Sequence, residues 1–159
     1  MRYSPHEYQR FVIDYIKKNP IAAVFLDMGL GKTSITLTAL NDLLFDSFDV
    51  HRILVVAPLR VARNTWSSEI KKWEHLQDLQ YSIVVGTEKE RMAALEKRAD
   101  IYIINRENVQ WLVEKSGKKF DYDMVVVDES SSFKSHKAKR FKALAGVCPR
   151  IERLVELTG

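Results

Sequence analysis

The sequence has a single cysteine, Cys148, so no disulfide framework can form within the chain, and the usage suits a reducing compartment. Its four histidines, His6, His51, His75 and His136, are scattered without metal-ligand spacing, which argues against a zinc site. No apolar run reaches the length of a membrane span. The opening residues, Met-Arg-Tyr-Ser-Pro-His-Glu, lack the apolar core of a signal peptide. There is no low-complexity tract, linker or internal repeat. The net charge of +4 leans toward polyanionic partners but is too mild to establish one. These absences leave a soluble, intracellular protein as the expectation.

What is present is one domain's worth of chain. Its 159 residues are 46% hydrophobic, enough for one sizeable core. Apolar strand candidates recur at Ile21–Leu26, Ile53–Ala57, Tyr81–Val85, Ile101–Ile104, Met124–Val127 and Leu154–Leu157. Helical stretches separate most of them: Lys32–Leu44, Val61–Trp73, Lys89–Lys97, Glu107–Glu114 and Lys137–Gly146. Ahead of them His6–Lys18 reads as an amphipathic helix with Tyr8, Phe11, Val12, Tyr15 and Ile16 on one side and Ser4 as its N-cap. Most of the strands are continuously apolar, the pattern of strands buried on both faces. Their alternation with helices predicts an α/β fold, a mainly parallel sheet with helices on both sides, in which ligands bind at the carboxyl ends of the strands.

Gly29-Leu30-Gly31-Lys32-Thr33 sits where that rule places a ligand, after the strand Ile21–Leu26 and before a helix. Glycines let the backbone turn its N–H groups toward phosphates, and the helix N-terminus adds its partial positive charge. Lys32 can reach terminal phosphates, and the Thr33 hydroxyl can take a place on a magnesium ion. The strict phosphate-loop pattern requires glycine five positions before Gly31, where this chain has Leu26, so the reading rests on context. A second signal lies at Asp128-Glu129, which ends the apolar run Met124–Val127. Alone, these carboxylates could simply cap a helix. Coupled with the glycine loop, Asp128 is expected to hold magnesium, and Glu129 to activate the water that attacks a γ-phosphate.

These residues resemble the helicase superfamily 2 and, within it, the Swi/Snf-like DNA translocases. Asp27-Met28-Gly29-Leu30-Gly31-Lys32-Thr33 is similar to the family's first motif, and Pro5-His6-Glu7-Tyr8-Gln9 to the element whose glutamine reads adenine. The resemblance implies an ATP site with Mg2+, formed by Gln9, Met28, Gly29, Leu30, Gly31, Lys32 and Thr33, with Asp128 and Glu129 in the acidic motif. Ala57-Pro58-Leu59-Arg60, followed by Trp66, Glu69 and Trp73, resembles the next motif, a corner that touches the nucleic-acid backbone in relatives. Trp66, Ile70 and Trp73 fall at helical spacing and are expected in the core. Arg60 and Arg63 are the phosphate-contact candidates, with Asn105 and Arg106 at a further strand end.

The chain departs from the family at Ser130-Ser131, where relatives usually carry Ala-His; Ser131 stands at the coupling position. The run Lys137, Lys139, Arg140 and Lys142 reads equally as a phosphate-facing surface or a solvated helix face. Leu157-Thr158-Gly159 is similar to the start of a motif that usually continues, with Thr158 in a coupling role. The resemblance therefore implies residues 1–159 as one RecA-like, N-terminal ATP-binding lobe, truncated within a motif. A second lobe would supply arginine fingers and the rest of a track for DNA, duplex favoured over RNA. The alternatives are a phosphate-loop kinase, for which no arginine-rich lid is visible, and a non-catalytic DNA-binding or interaction module.

Overall fold

The computed structural model describes residues 1–26, 31–128 and 151–158. Asp27, Met28, Gly29 and Leu30 of the glycine loop lie outside the described residues, as do Glu129, Ser130, Ser131, the basic run with its helix expected at Lys137–Gly146, and Gly159.

The chain builds α1 (Glu7–Lys18), β1 (Ile21–Phe25), α2 (Lys32–Phe45), β2 (Ile53–Ala57), α3 (Trp66–Lys72), β3 (Tyr81–Val84), α4 (Glu88–Glu96), β4 (Ile101–Asn105), α5 (Val109–Ser116), β5 (Met124–Asp128) and β6 (Arg153–Thr158). A π-helical turn, Val61–Thr65, leads into α3. The six strands form one sheet in the order β1-β6-β5-β2-β4-β3, and every pairing is parallel. Such pairing requires crossover connections, and α2, α3, α4 and α5 lie in those from β1 to β5.

Strands β2, β4 and β5 are buried along their whole length. Their side chains alternate between two cores because successive residues point to opposite faces. Ile53, Val55, Ile103 and Val126 pack with Ile16 of α1, Leu37 and Leu40 of α2 and Trp66 of α3. Leu54, Val56, Ile104, Val125 and Val127 pack with Val109 and Leu112 of α5. Helices thus cover both faces. Asp123 fastens the opposite end of the sheet: its carboxylate accepts from the backbone N–H groups of His51 (2.8 Å) and Arg52 (3.0 Å), and its carbonyl from those of Glu152 and Arg153.

Three expectations change. Among the described residues strand β1 is an edge strand, paired only with β6, and Ile21 and Phe25 are 79% and 78% exposed on its outer face. A continuous apolar run cannot distinguish an edge from a centre, because pairing partners are set by topology. In α1 the inward stripe is Gln9, Ile13 and Ile16, with Val12 partly buried, while Phe11 is 72% exposed and Tyr8 and Tyr15 also face out. The apolar residues of this helix span more than one face, and only the stripe against α2 and the sheet is buried. The N-cap is His6, not Ser4. The Gln9 side chain reaches back to accept from the His6 backbone N–H at 2.8 Å, satisfying a donor that the first helical turn leaves without a partner.

Candidate functional site

Gly31 is the hinge between the loop after β1 and α2. It adopts the left-handed conformation, φ 79° and ψ 29°, which L side chains rarely take. A Cβ built there would lie 2.8 Å from Gln9 Nε2 and 3.1 Å from Ser34 Oγ. The glycine therefore does two things: it turns the chain into α2, and it leaves room for Gln9 of α1 beside Gly31. From Gly31 the helix starts at once, with the Ile35 N–H donating to its carbonyl at 2.9 Å. The Thr36 hydroxyl donates to the Lys32 carbonyl at 2.8 Å, holding the first turn. The remaining apolar positions expected for this helix, Ile35, Leu37, Ala39, Leu40 and Leu43, are all buried.

Lys32 and Asp128 meet at the carboxyl ends of β1 and β5. Lys32 Nζ lies 3.1 Å from Asp128 Oδ1, with side-chain exposures of 16% and 7%. A carboxylate this buried is costly unless a cation and hydrogen bonds compensate it. The cation is Lys32. The hydrogen bond comes from Trp66, whose indole Nε1–H donates to Asp128 Oδ2 at 3.2 Å. Trp66 is fully buried, as its helical spacing predicts, and Ile70 shares its core, while Trp73, expected there too, is only partly buried against it because it lies at the end of α3. Its bond to the carboxylate was not legible from spacing alone. The signal that could have found it is chemical: a buried indole needs an acceptor.

Thr33 is partly buried at the second position of α2. Its hydroxyl and the Asp128 carboxylate are hard oxygen donors, the type magnesium takes alongside phosphate oxygens. The chemistry of the pair fits the ion. Thr158 ends β6 beside β1, in register with Phe25. Its carbonyl accepts from the Leu26 N–H at 3.0 Å, so the expected coupling position sits against the strand end that feeds the loop.

The rim candidates fall in two places. Arg60 and Arg63 are exposed on the corner after β2, at and inside the π-helical turn. Asn105 ends β4 and is buried. Its amide donates to Glu107 Oε2 at 3.0 Å and its carbonyl accepts from Asn108 at 2.6 Å, while Arg91 donates to Asn108 at 2.7 Å. Arg106 is largely buried, its Nε 3.8 Å from Glu107 Oε1. Exposed charge among these candidates is therefore concentrated at Arg60 and Arg63.

A model of the SNF2-related domain matches residues 10–159. The chain belongs to this family. This SNF2-related domain is 36% identical to protein p41 of Acyrthosiphon pisum secondary endosymbiont phage 1, across 99% of the chain and 35% of that relative. It is 29% identical to the ISWI chromatin-remodeling complex ATPase ISW1 of Saccharomyces cerevisiae, over 88% of the chain and 13% of that protein. In fold it superposes on the Sulfolobus solfataricus SWI2/SNF2 ATPase core, solved in complex with dsDNA, with a TM-score of 0.74 and 22% identity. That match covers 100% of this chain and 32% of that one. The chain spans about a third or less of the length of these curated relatives. The all-parallel sheet gives this SNF2-related domain the RecA-like fold of the superposed structure. Among the described residues no helix is long and apolar enough to cross a membrane.

Proposed function

We propose that this lobe binds ATP with Mg2+ at the Lys32–Asp128 site and, with a second RecA-like lobe, hydrolyses it to move along or remodel duplex DNA. The observation that carries the reading is the convergence of Lys32 and Asp128, far apart in sequence, at 3.1 Å where the β1 and β5 strands end. Lys32 is the only cation bonded to this carboxylate among the described residues, and it has the reach and charge to draw terminal phosphates. Thr33 and Asp128 are the residues that would hold magnesium, which when bound neutralises charge on the phosphates as the γ-phosphoryl group leaves. Gln9, fixed against Gly31, offers an amide for the adenine edge, with its oxygen already accepting from His6. Glu129, next in sequence to Asp128, is assigned the proton of the attacking water.

Arg60 and Arg63 are proposed as contacts to the DNA backbone, with Asn105 and Arg106, at the end of β4, as further nucleic-acid-side residues. Duplex DNA is favoured because the superposed SWI2/SNF2 core was solved with dsDNA. Because arginine fingers typically add several orders of magnitude to hydrolysis and belong to the second lobe, these 159 residues alone should turn over ATP very slowly. Titration with a fluorescent ATP analogue tests the site. Magnesium-dependent binding that Lys32→Ala abolishes supports the reading, and binding indifferent to Lys32 refutes it.

A further inference from the structure

Among the described residues Asp128 has one partner on each carboxylate oxygen, and the two differ in kind. Lys32 holds Oδ1 as a mobile cation on a flexible stem. Trp66 holds Oδ2 as a neutral donor on a rigid, fully buried ring. An indole has one N–H and no acceptor, so it cannot take up a proton or bind a metal ion at this site. Under the proposed function, Lys32 must serve phosphates and Asp128 in turn. Trp66 need serve only Asp128.

We propose that Trp66 is the positioning residue of this site: its buried indole N–H pins Asp128 Oδ2 so that Oδ1 stays aimed at the Lys32–Thr33 turn when Lys32 turns to phosphate. The inference rests on the nucleotide-binding reading above. The local sequence explains why the ring can do this. The corner after β2 begins with the Ala62 N–H donating to the Pro58 carbonyl at 2.8 Å. It then runs through the π-helical turn Val61–Thr65 before regular helix resumes at Trp66. A π turn holds an extra residue, which shifts the phase of the helix beyond it, and such turns are frequent at functional sites. Here Ala62 and Trp66 face inward while Arg63, Asn64 and Thr65 face solvent. The ring packs in the core along its length and meets the carboxylate at its tip. Phe keeps an aromatic ring in the core and removes the N–H, and the volume it gives up is common to the magnesium and chelator arms of a test.

The test compares Trp66→Phe with the unaltered chain by titration of a fluorescent ATP analogue, once with magnesium and once with chelator. The expected result is unchanged affinity in chelator within about twofold and a loss of about tenfold in magnesium, the scale of one hydrogen bond to a charged group. A Trp66→Phe protein that keeps the full magnesium increment overturns the proposal. If that variant does not fold, the indole N–H resonances of the unaltered chain decide, assigned with Trp73→Phe and Trp111→Phe. The Trp66 resonance should exchange slowly with solvent and shift when ATP analogue and magnesium are added together. A resonance that stays put while the nucleotide binds overturns the proposal. Failure of the unaltered chain to bind any nucleotide overturns the underlying reading, and this inference with it.

Discussion

Replacing Gly31 by alanine probes the joint between α1 and the start of α2. Two costs add. The left-handed backbone is unfavourable for alanine by about 1–2 kcal/mol. The new methyl would also sit 2.8 Å from Gln9 Nε2, a separation that side-chain atoms do not sustain, so Gln9 must move. Gln9 is only 9% exposed, and its oxygen accepts from the His6 N–H, so moving it gives up the cap of α1. That bond is worth about 0.5–1.5 kcal/mol. The sum, about 1.5–3.5 kcal/mol, corresponds to a fall in Tm of roughly 3–14 °C for a chain of this length. Thermal denaturation of four proteins resolves the two terms: the unaltered chain, Gly31→Ala, Gln9→Ala and the double variant. With Gln9 truncated, the cost of Gly31→Ala should drop to the backbone share, about 1–2 kcal/mol. Equal costs in both backgrounds would refute the idea that Gly31 exists partly to seat Gln9.

Lys32→Ala should destabilise the fold by about 2–3 kcal/mol, below the range for breaking a fully buried pair because Lys32 keeps some exposure. Adding Asp128→Asn should recover part of the loss, and a double variant less stable than the single would contradict the ion-pair account. Asp123→Ala should cost about 2 kcal/mol by orphaning the N–H groups of His51 and Arg52, and a melt within about 1 °C of the parent would count against that clip. His75 predicts a pH dependence. The Thr38 hydroxyl donates to the Ser34 carbonyl, so it accepts from His75 Nε2–H at 2.8 Å and leaves the buried Nδ1 without a partner among the described residues. Burial holds the His75 pKa below its usual value, with Asp42 opposing. The unfolded chain therefore takes up this proton first, and stability should fall as pH drops below about 6.5. His75→Gln should flatten that slope in melts between about pH 7.5 and 5.5, and an unchanged slope would exclude His75 as its source.

The sequence alone was enough to place all six strands and to single out Lys32 and Asp128, which the fold brings to 3.1 Å, because strand–helix alternation and a glycine turn carry strong local physics. It was weaker wherever an outcome depends on partners. Phe11 and Phe25 look like core residues in sequence, yet they face out because the surface opposite them belongs to no neighbouring element among the described residues. Asn105 was a nucleic-acid contact candidate at a strand end. In the fold, Glu107 and Asn108 take its amide, an arrangement that only the turn after β4 creates. Trp66 was placed correctly in the core, but its bond to Asp128 joins two distant segments, and no spacing rule reports such a contact.

Lys32 and Asp128 are proposed as one half of an ATP site. Equilibrium binding of an ATP analogue to the unaltered chain and to Lys32→Ala, each with and without magnesium and with hydrolysis followed in parallel, tests it most directly. The account predicts weak, magnesium-dependent binding that Lys32→Ala removes, with very slow turnover. Binding insensitive to Lys32, or brisk DNA-stimulated hydrolysis by these residues alone, would contradict it.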